Sequence, residues 1–133
     1  MSGGAGYVLS REALRRVVEA GLRDPTEKIC RKVHPTFGED ISMGACMRNL
    51  NVTFVDTRDK GERRTFFPEA LTRYLPPNGP GNTSKAGYDK YPAELGIDCC
   101  SEHVVTIHRV NPSLMYLVDY LVYRVERPAK TAK

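Results

Sequence analysis

The chain has 133 residues, a formal net charge of +4, 41% apolar and 27% charged residues. That is one ordinary globular domain or a part of one, large enough to bury about two-thirds of its surface. The basic residues are scattered, with small clusters at Arg15-Arg16 and Arg63-Arg64 and in the tail from Arg127 to Lys133, so a nucleic-acid-binding stripe is excluded. No apolar run approaches the roughly 20 residues of a membrane span, and no signal peptide is visible.

In chain order, Gly3, Gly4 and Gly6 form a permissive turn that feeds a short predicted strand, Tyr7-Val8-Leu9. The opening reads as the interior of a domain. Ser10 is a good N-cap, and Ala13, Leu14, Val17, Val18 and Leu22 recur at helical spacing, which predicts an amphipathic helix over 11–22. Asp24-Pro25 ends it. Residues 25–38 read as loop, broken by Pro35 and Gly38. Glu39 and Asp40 open a second helix, where acids complement the positive end of the helix dipole. Ile41, Ala45 and Leu50 supply its buried side.

Val52–Val55 alternates as a short strand, and Asp56–Arg64 is a charged turn. Thr65–Leu75 reads as a strand end followed by a helical turn. The stretch Pro76-Pro77-Asn78-Gly79-Pro80-Gly81-Asn82 opens a loop that runs to about Asp98. His103–Val110 is the clearest predicted strand. Asn111 caps a last helix with Pro112 at its first position, and Leu114, Leu117, Val118, Leu121, Val122 and Val125 give it a broad apolar face. Residues 127–133 are expected to be a disordered basic tail. The order of elements fits an incomplete α/β domain.

Several residues carry possible chemistry, each with a plainer alternative. Glu39-Asp40 lies between Cys30 and Cys46. A carboxylate there can act as a general base or bind a cation, or can simply favour the helix dipole. A Cys30–Cys46 bridge would close a short loop around the acids and contribute about 3 kcal/mol. With Cys99 and Cys100 the even cysteine count allows three pairings; adjacent cysteines bond each other or pair elsewhere. Without a C-x-x-C spacing, a zinc site is disfavoured. His108 is a strand histidine or a metal ligand. His34 reads as a loop residue and His103 as a strand start. Gly3, Gly4 and Gly6 form a plain turn or let backbone amides approach a sugar or phosphate. Asn51 and Asn82 head glycosylation sequons, which fit a secretory context.

Taken together, S-G-G-A-G-Y-V-L-S-R-E-A-L (2–14), G-E-D-I-S-M-G-A-C-M (38–47), C-C-S-E-H-V-V-T-I-H-R-V (99–110) and M-Y-L-V-D-Y-L-V-Y-R-V (115–125) resemble the core 1 β1,3-galactosyltransferases, fringe-like glycosyltransferases acting on O-linked N-acetylgalactosamine. The resemblance implies that residues 1–126 are the C-terminal part of a GT-A type α/β domain. It further implies inverting transfer from UDP-galactose, a manganese-like divalent metal, and a lumenal Golgi location through an N-terminal anchor that this chain lacks. The partners it implies are UDP-galactose and an O-GalNAc glycoprotein, with a homodimer left open and no nucleic acid. By resemblance, Asp40 is the catalytic base with Glu39 beside it, His108 ligates the metal, and Gly3, Gly4 and Gly6 lie near the sugars.

The chain departs from the family in three places. No D-x-D metal motif occurs in it, no tryptophan-rich run precedes the double cysteine, and the family's F-H-P is Phe66-Phe67-Pro68 here. The expected function is therefore that of a galactosyltransferase fragment with little or no activity alone. The alternatives are a non-enzymatic, chaperone-like relative or a disulfide-stabilised secreted binding domain.

Overall fold

The computed structural model describes residues 3–30, 38–81, 90–92 and 94–126. His34, Pro35, Asn82 and the tail 127–133 lie outside that range.

The first helix starts where its cap predicts. The Ser10 hydroxyl accepts from the amide of Ala13 at 3.1 Å, and α1 runs Arg11–Arg16. The chain then widens into a π-helix, Val17–Gly21, closed by the Leu22 amide on the Val17 carbonyl at 2.7 Å. The single predicted α-helix is thus α followed by π. The wider turn sets Gly21 against a disulfide between Cys30 and Cys46. A Cβ at Gly21 would overlap the Cys30 sulfur and lie 3.3 Å from Leu50 Cδ1 and 3.4 Å from Cys46 Sγ. Ala13, Val17, Cys30, Cys46 and Met47 are buried together there and form the first core.

The second helix, α2, spans Glu39–Asn49 and carries both acids in its first turn, as predicted. Its end is held by the Val52 amide, which donates to the Met47 carbonyl at 2.9 Å. That bond ties Val52 to the helix, so the predicted strand over 52–55 is irregular backbone. The strand predicted at Tyr7–Leu9 is also absent. Gly3–Ala5 is a 3-10 turn, Gly6 takes a left-handed φ of 72°, and among the described residues no neighbouring strand offers a ladder.

The strands among the described residues are β1, Phe66–Phe67, and β2, Thr106–Ile107, paired in parallel with Phe66 opposite Thr106. The Val105 amide donates to the Thr65 carbonyl at 2.8 Å and the His108 amide to the Phe67 carbonyl at 2.9 Å. The predicted strand over 103–110 shrinks to two residues for local reasons. The His103 amide is taken by the Ser101 hydroxyl at 3.0 Å, Arg109 turns out at φ 55°, and Pro68 has no N–H to extend the partner. Phe67, Tyr74 and Cys99 form the second core, with Phe67 and Tyr74 edge to face at 5.1 Å. Cys99 and Cys100 are bonded to each other.

Mixed helix and parallel strand agree with α/β at that coarse level. The last helix, α3, spans Pro112–Tyr123; the Asn111 carboxamide accepts from the Leu114 amide at 2.8 Å and Pro112 fills the first turn. Its broad apolar face is not buried as predicted: α3 buries no residue, and Tyr116 and Tyr123 are 79% and 77% exposed. Leu117, Leu121, Val122 and Val125 of that face are exposed, as are Met115, Tyr116, Tyr120 and Tyr123 around the rest of the helix. Only Leu114 and Val118, one turn apart, are partly covered.

Candidate functional site

The glycine turn at residues 3–6 sits between the two cores and draws three distant segments together. On one side, Asp40 Oδ2 accepts the Gly3 amide at 2.7 Å. A Cβ at Gly3 would stand 2.8 Å from Asp40 Cβ, so only glycine lets the backbone come this close. On the other side, the imidazole of His108 lies over Gly4. A Cβ at Gly4 would stand 2.8 Å from the ring's Cε1 and closer still to Nδ1. The turn is anchored below by the Thr106 hydroxyl, which donates to the Ala5 carbonyl. Gly6 has space around it, and its left-handed backbone is what calls for glycine.

The electrostatics follow from these contacts. Asp40 is half-buried, and the Gly3 amide holds its carboxyl below the usual carboxylate range, assisted by the amides of Ile41 and of Asp40 itself at the helix start. Asp40 is therefore ionised at neutral pH. Beside it, the exposed Glu39 accepts the hydroxyl of Tyr7, and that bond raises the Tyr7 pKa. His108 is exposed at the end of β2, with Nδ1 3.0 Å from the Pro68 carbonyl. A carbonyl can only accept, so Nδ1 carries a proton, and in the neutral ring the lone pair is then on Nε2. A backbone carbonyl on one ring nitrogen fixes the orientation of the imidazole and leaves the other nitrogen facing outward. Among the described residues no group of three or more His, Cys, Asp or Glu side chains is placed to hold a metal ion.

Gly3, Gly4, Gly6, Glu39, Asp40 and His108 are accordingly brought to one place. His103 is exposed and stands outside it, and Asn51 is exposed just past α2 with a left-handed φ of 53°. Two partners escaped the sequence reading. Glu69 is 6% exposed, and its carboxylate meets Arg109 Nε at 3.3 Å. That ion pair steadies the left-handed residue next to His108, a strained conformation for arginine. Tyr7, read as a strand residue, is the partner of Glu39. No local sequence signal marks either contact.

The glycine turn, Glu39-Asp40 and His108 lie within three of the sequence segments on which the resemblance to core 1 β1,3-galactosyltransferases rests. No protein-family profile matches the chain. Over 129 residues it is 40% identical to glycoprotein-N-acetylgalactosamine 3-beta-galactosyltransferase 1 of Xenopus laevis, a match covering 94% of this chain and 34% of that protein. The chain is thus similar over nearly its whole length to a glycoprotein-N-acetylgalactosamine 3-beta-galactosyltransferase, and spans about a third of the length of that curated relative.

Proposed function

We propose that this chain carries the acceptor side of an inverting β1,3-galactosyltransferase site, with UDP-galactose as donor and O-linked N-acetylgalactosamine on a glycoprotein as acceptor. The observation that carries the reading is the glycine turn, which presses against Asp40 through Gly3 and against His108 through Gly4. In this reading Asp40 receives the proton of the acceptor's 3-hydroxyl while that oxygen attacks the anomeric carbon opposite the departing nucleotide. A carboxylate held below its usual pKa is ionised and free to take that proton. Glu39 and Tyr7 hold the neighbouring wall. A divalent ion, when bound, supplies positive charge for the leaving diphosphate, and His108 would offer it Nε2. With no D-x-D in the chain, the remaining ligands and the nucleotide pocket belong to sequence outside these 133 residues. A Golgi lumenal setting, a divalent ion of the manganese type and glycosylation at Asn51 and Asn82 are parts of the same proposal. No helix among the described residues is long and apolar enough to cross a membrane.

The test is titration of the 15N-labelled chain with methyl α-N-acetylgalactosaminide, then with manganese. The sugar is expected to shift the amides of Gly3, Gly4 and Asp40, and manganese to broaden His108 first. Incubation with UDP-galactose and an O-GalNAc glycopeptide is expected to give no product. Sugar shifts confined to other residues would overturn the acceptor site. Transfer by the isolated chain would overturn the division of labour.

A further inference from the structure

We propose that the cleft between Phe54-Val55 and Tyr91-Pro92 holds an extended stretch of polypeptide, the protein portion of the acceptor. This rests on the transferase reading for the acceptor's identity, though not for the cleft. The cavity has a volume of about 300 Å³, at the lower end for ligand clefts.

One wall is unusual. Phe54 and Val55 are 67% and 81% exposed. Among the described residues, the backbone of Thr53, Phe54 and Val55 makes no hydrogen bond. Unpaired N–H and C=O groups beside exposed apolar side chains are what an extended peptide recognises when it adds alongside a backbone edge.

The opposite wall is fixed in place. The Arg64 guanidinium donates to the Tyr91 carbonyl at 3.2 Å, and the Arg58 guanidinium lies over the Tyr91 ring, 3.5 Å from its centre. Arg58 is in turn matched by Asp56 at 2.8 Å and Glu62 at 3.7 Å. Its charge is therefore already balanced, which disfavours a diphosphate as occupant. An aromatic and proline wall facing free backbone suits proline and small aliphatic residues. Serine- and threonine-rich sequence with proline is also the composition of O-glycosylated stalks.

The cleft is continuous with the candidate site. Ala5 and Pro68 line it, and their carbonyls hold Thr106 and His108. A peptide lying in it would deliver a sugar on a neighbouring residue toward the glycine turn.

The experiment uses the full 15N-labelled chain and three probes: an unglycosylated eight-residue Pro/Thr/Ser/Ala peptide, methyl α-N-acetylgalactosaminide, and UDP. The peptide is expected to shift the amides of Phe54, Val55 and Tyr91 with saturation. Phe54→Ser, an exposed position, and Tyr91→Ala should each raise its Kd about tenfold, and Tyr91→Phe should not. Absence of saturable shifts in the cleft, unchanged affinity in both weakening variants, or displacement of the peptide by UDP would each overturn the proposal. If the peptide binds the cleft while the sugar leaves Gly3, Gly4 and His108 unmoved, the cleft stands and the transferase reading falls. If the sugar binds and the peptide does not, the cleft proposal alone falls.

Discussion

Replacing Gly21 by alanine should destabilise the chain only while the neighbouring disulfide is intact. The new methyl would overlap the Cys30 sulfur and press on Leu50 Cδ1 and Cys46 Sγ at 3.3 and 3.4 Å. The sulfur is bonded and buried in the first core, so it cannot swing aside as a free side chain would. Overpacking of this kind costs about 1–3 kcal/mol. Glycine to alanine inside a helix returns up to about 1 kcal/mol. The net loss is then about 0–3 kcal/mol, or a fall in Tm of up to roughly 11 °C for a chain of this size. In a Cys30→Ala/Cys46→Ala background, itself less stable by about 3 kcal/mol, the clash is gone and only the helical gain remains. Gly21→Ala should there be neutral or stabilising by up to about 1 kcal/mol. Urea denaturation of the four proteins closes the cycle. Equal destabilisation in both backgrounds would refute the reasoning and assign the requirement for glycine to the backbone or to Leu50.

Gly4→Ala should push the His108 ring off the Pro68 carbonyl at a stability cost of about 1 kcal/mol, because the ring is exposed and free to move. The check is the His108 ring resonances, which should shift while those of His103 stay put. Asp40 has a depressed pKa in the folded chain, so its contribution to stability is present above the unfolded carboxyl pKa and is lost as pH falls through the folded value. Stability of the parent should therefore decline below about pH 4 more steeply than that of Asp40→Asn, as read by denaturation at stepped pH. Asn111→Ala removes the cap on the Leu114 amide and should cost about 1 kcal/mol, with helical circular dichroism lost first at the start of α3. Arg109→Gly should relieve the left-handed strain at that position yet release buried Glu69 from its partner. Net destabilisation is expected, and Arg109→Lys, at the same φ, should recover part of it.

Helix starts were legible because caps act over a few residues. Ser10, Asn111-Pro112 and the acid pair at 39–40 each satisfy orphan amides or the dipole within one turn, and each helix begins there. Strands were half legible, because alternation reports a side-chain pattern and a ladder needs a neighbour. Both observed strands fall inside stretches read as strand, at the start of Thr65–Leu75 and within His103–Val110, whereas Tyr7–Leu9 and Val52–Val55 have the pattern and pair with no strand among the described residues. The site was half legible. The acid pair, the glycines and His108 are visible as residue types, and their grouping came from resemblance. That Gly3 binds Asp40 and Gly4 underlies His108 depends on how two separate cores meet. Glu69 and Arg109 were invisible, since burial of a carboxylate beside an arginine has no sequence period.

The bonds that join the glycine turn to its surroundings are long in sequence. Thr106 reaches Ala5 across 101 residues, whereas β1 and β2 pair across 40. Each core can gather from segments nearer one another, whereas this junction must wait for the largest loop to close. Loop entropy rises with separation, and contacts of high separation are made late in folding. The site is thus expected to be the last part of the molecule to take shape, after both disulfide-bearing cores are in place. A signal from Gly4 or His108 would then report the closing of that loop, and deleting the glycine turn should erase the site before it melts the cores.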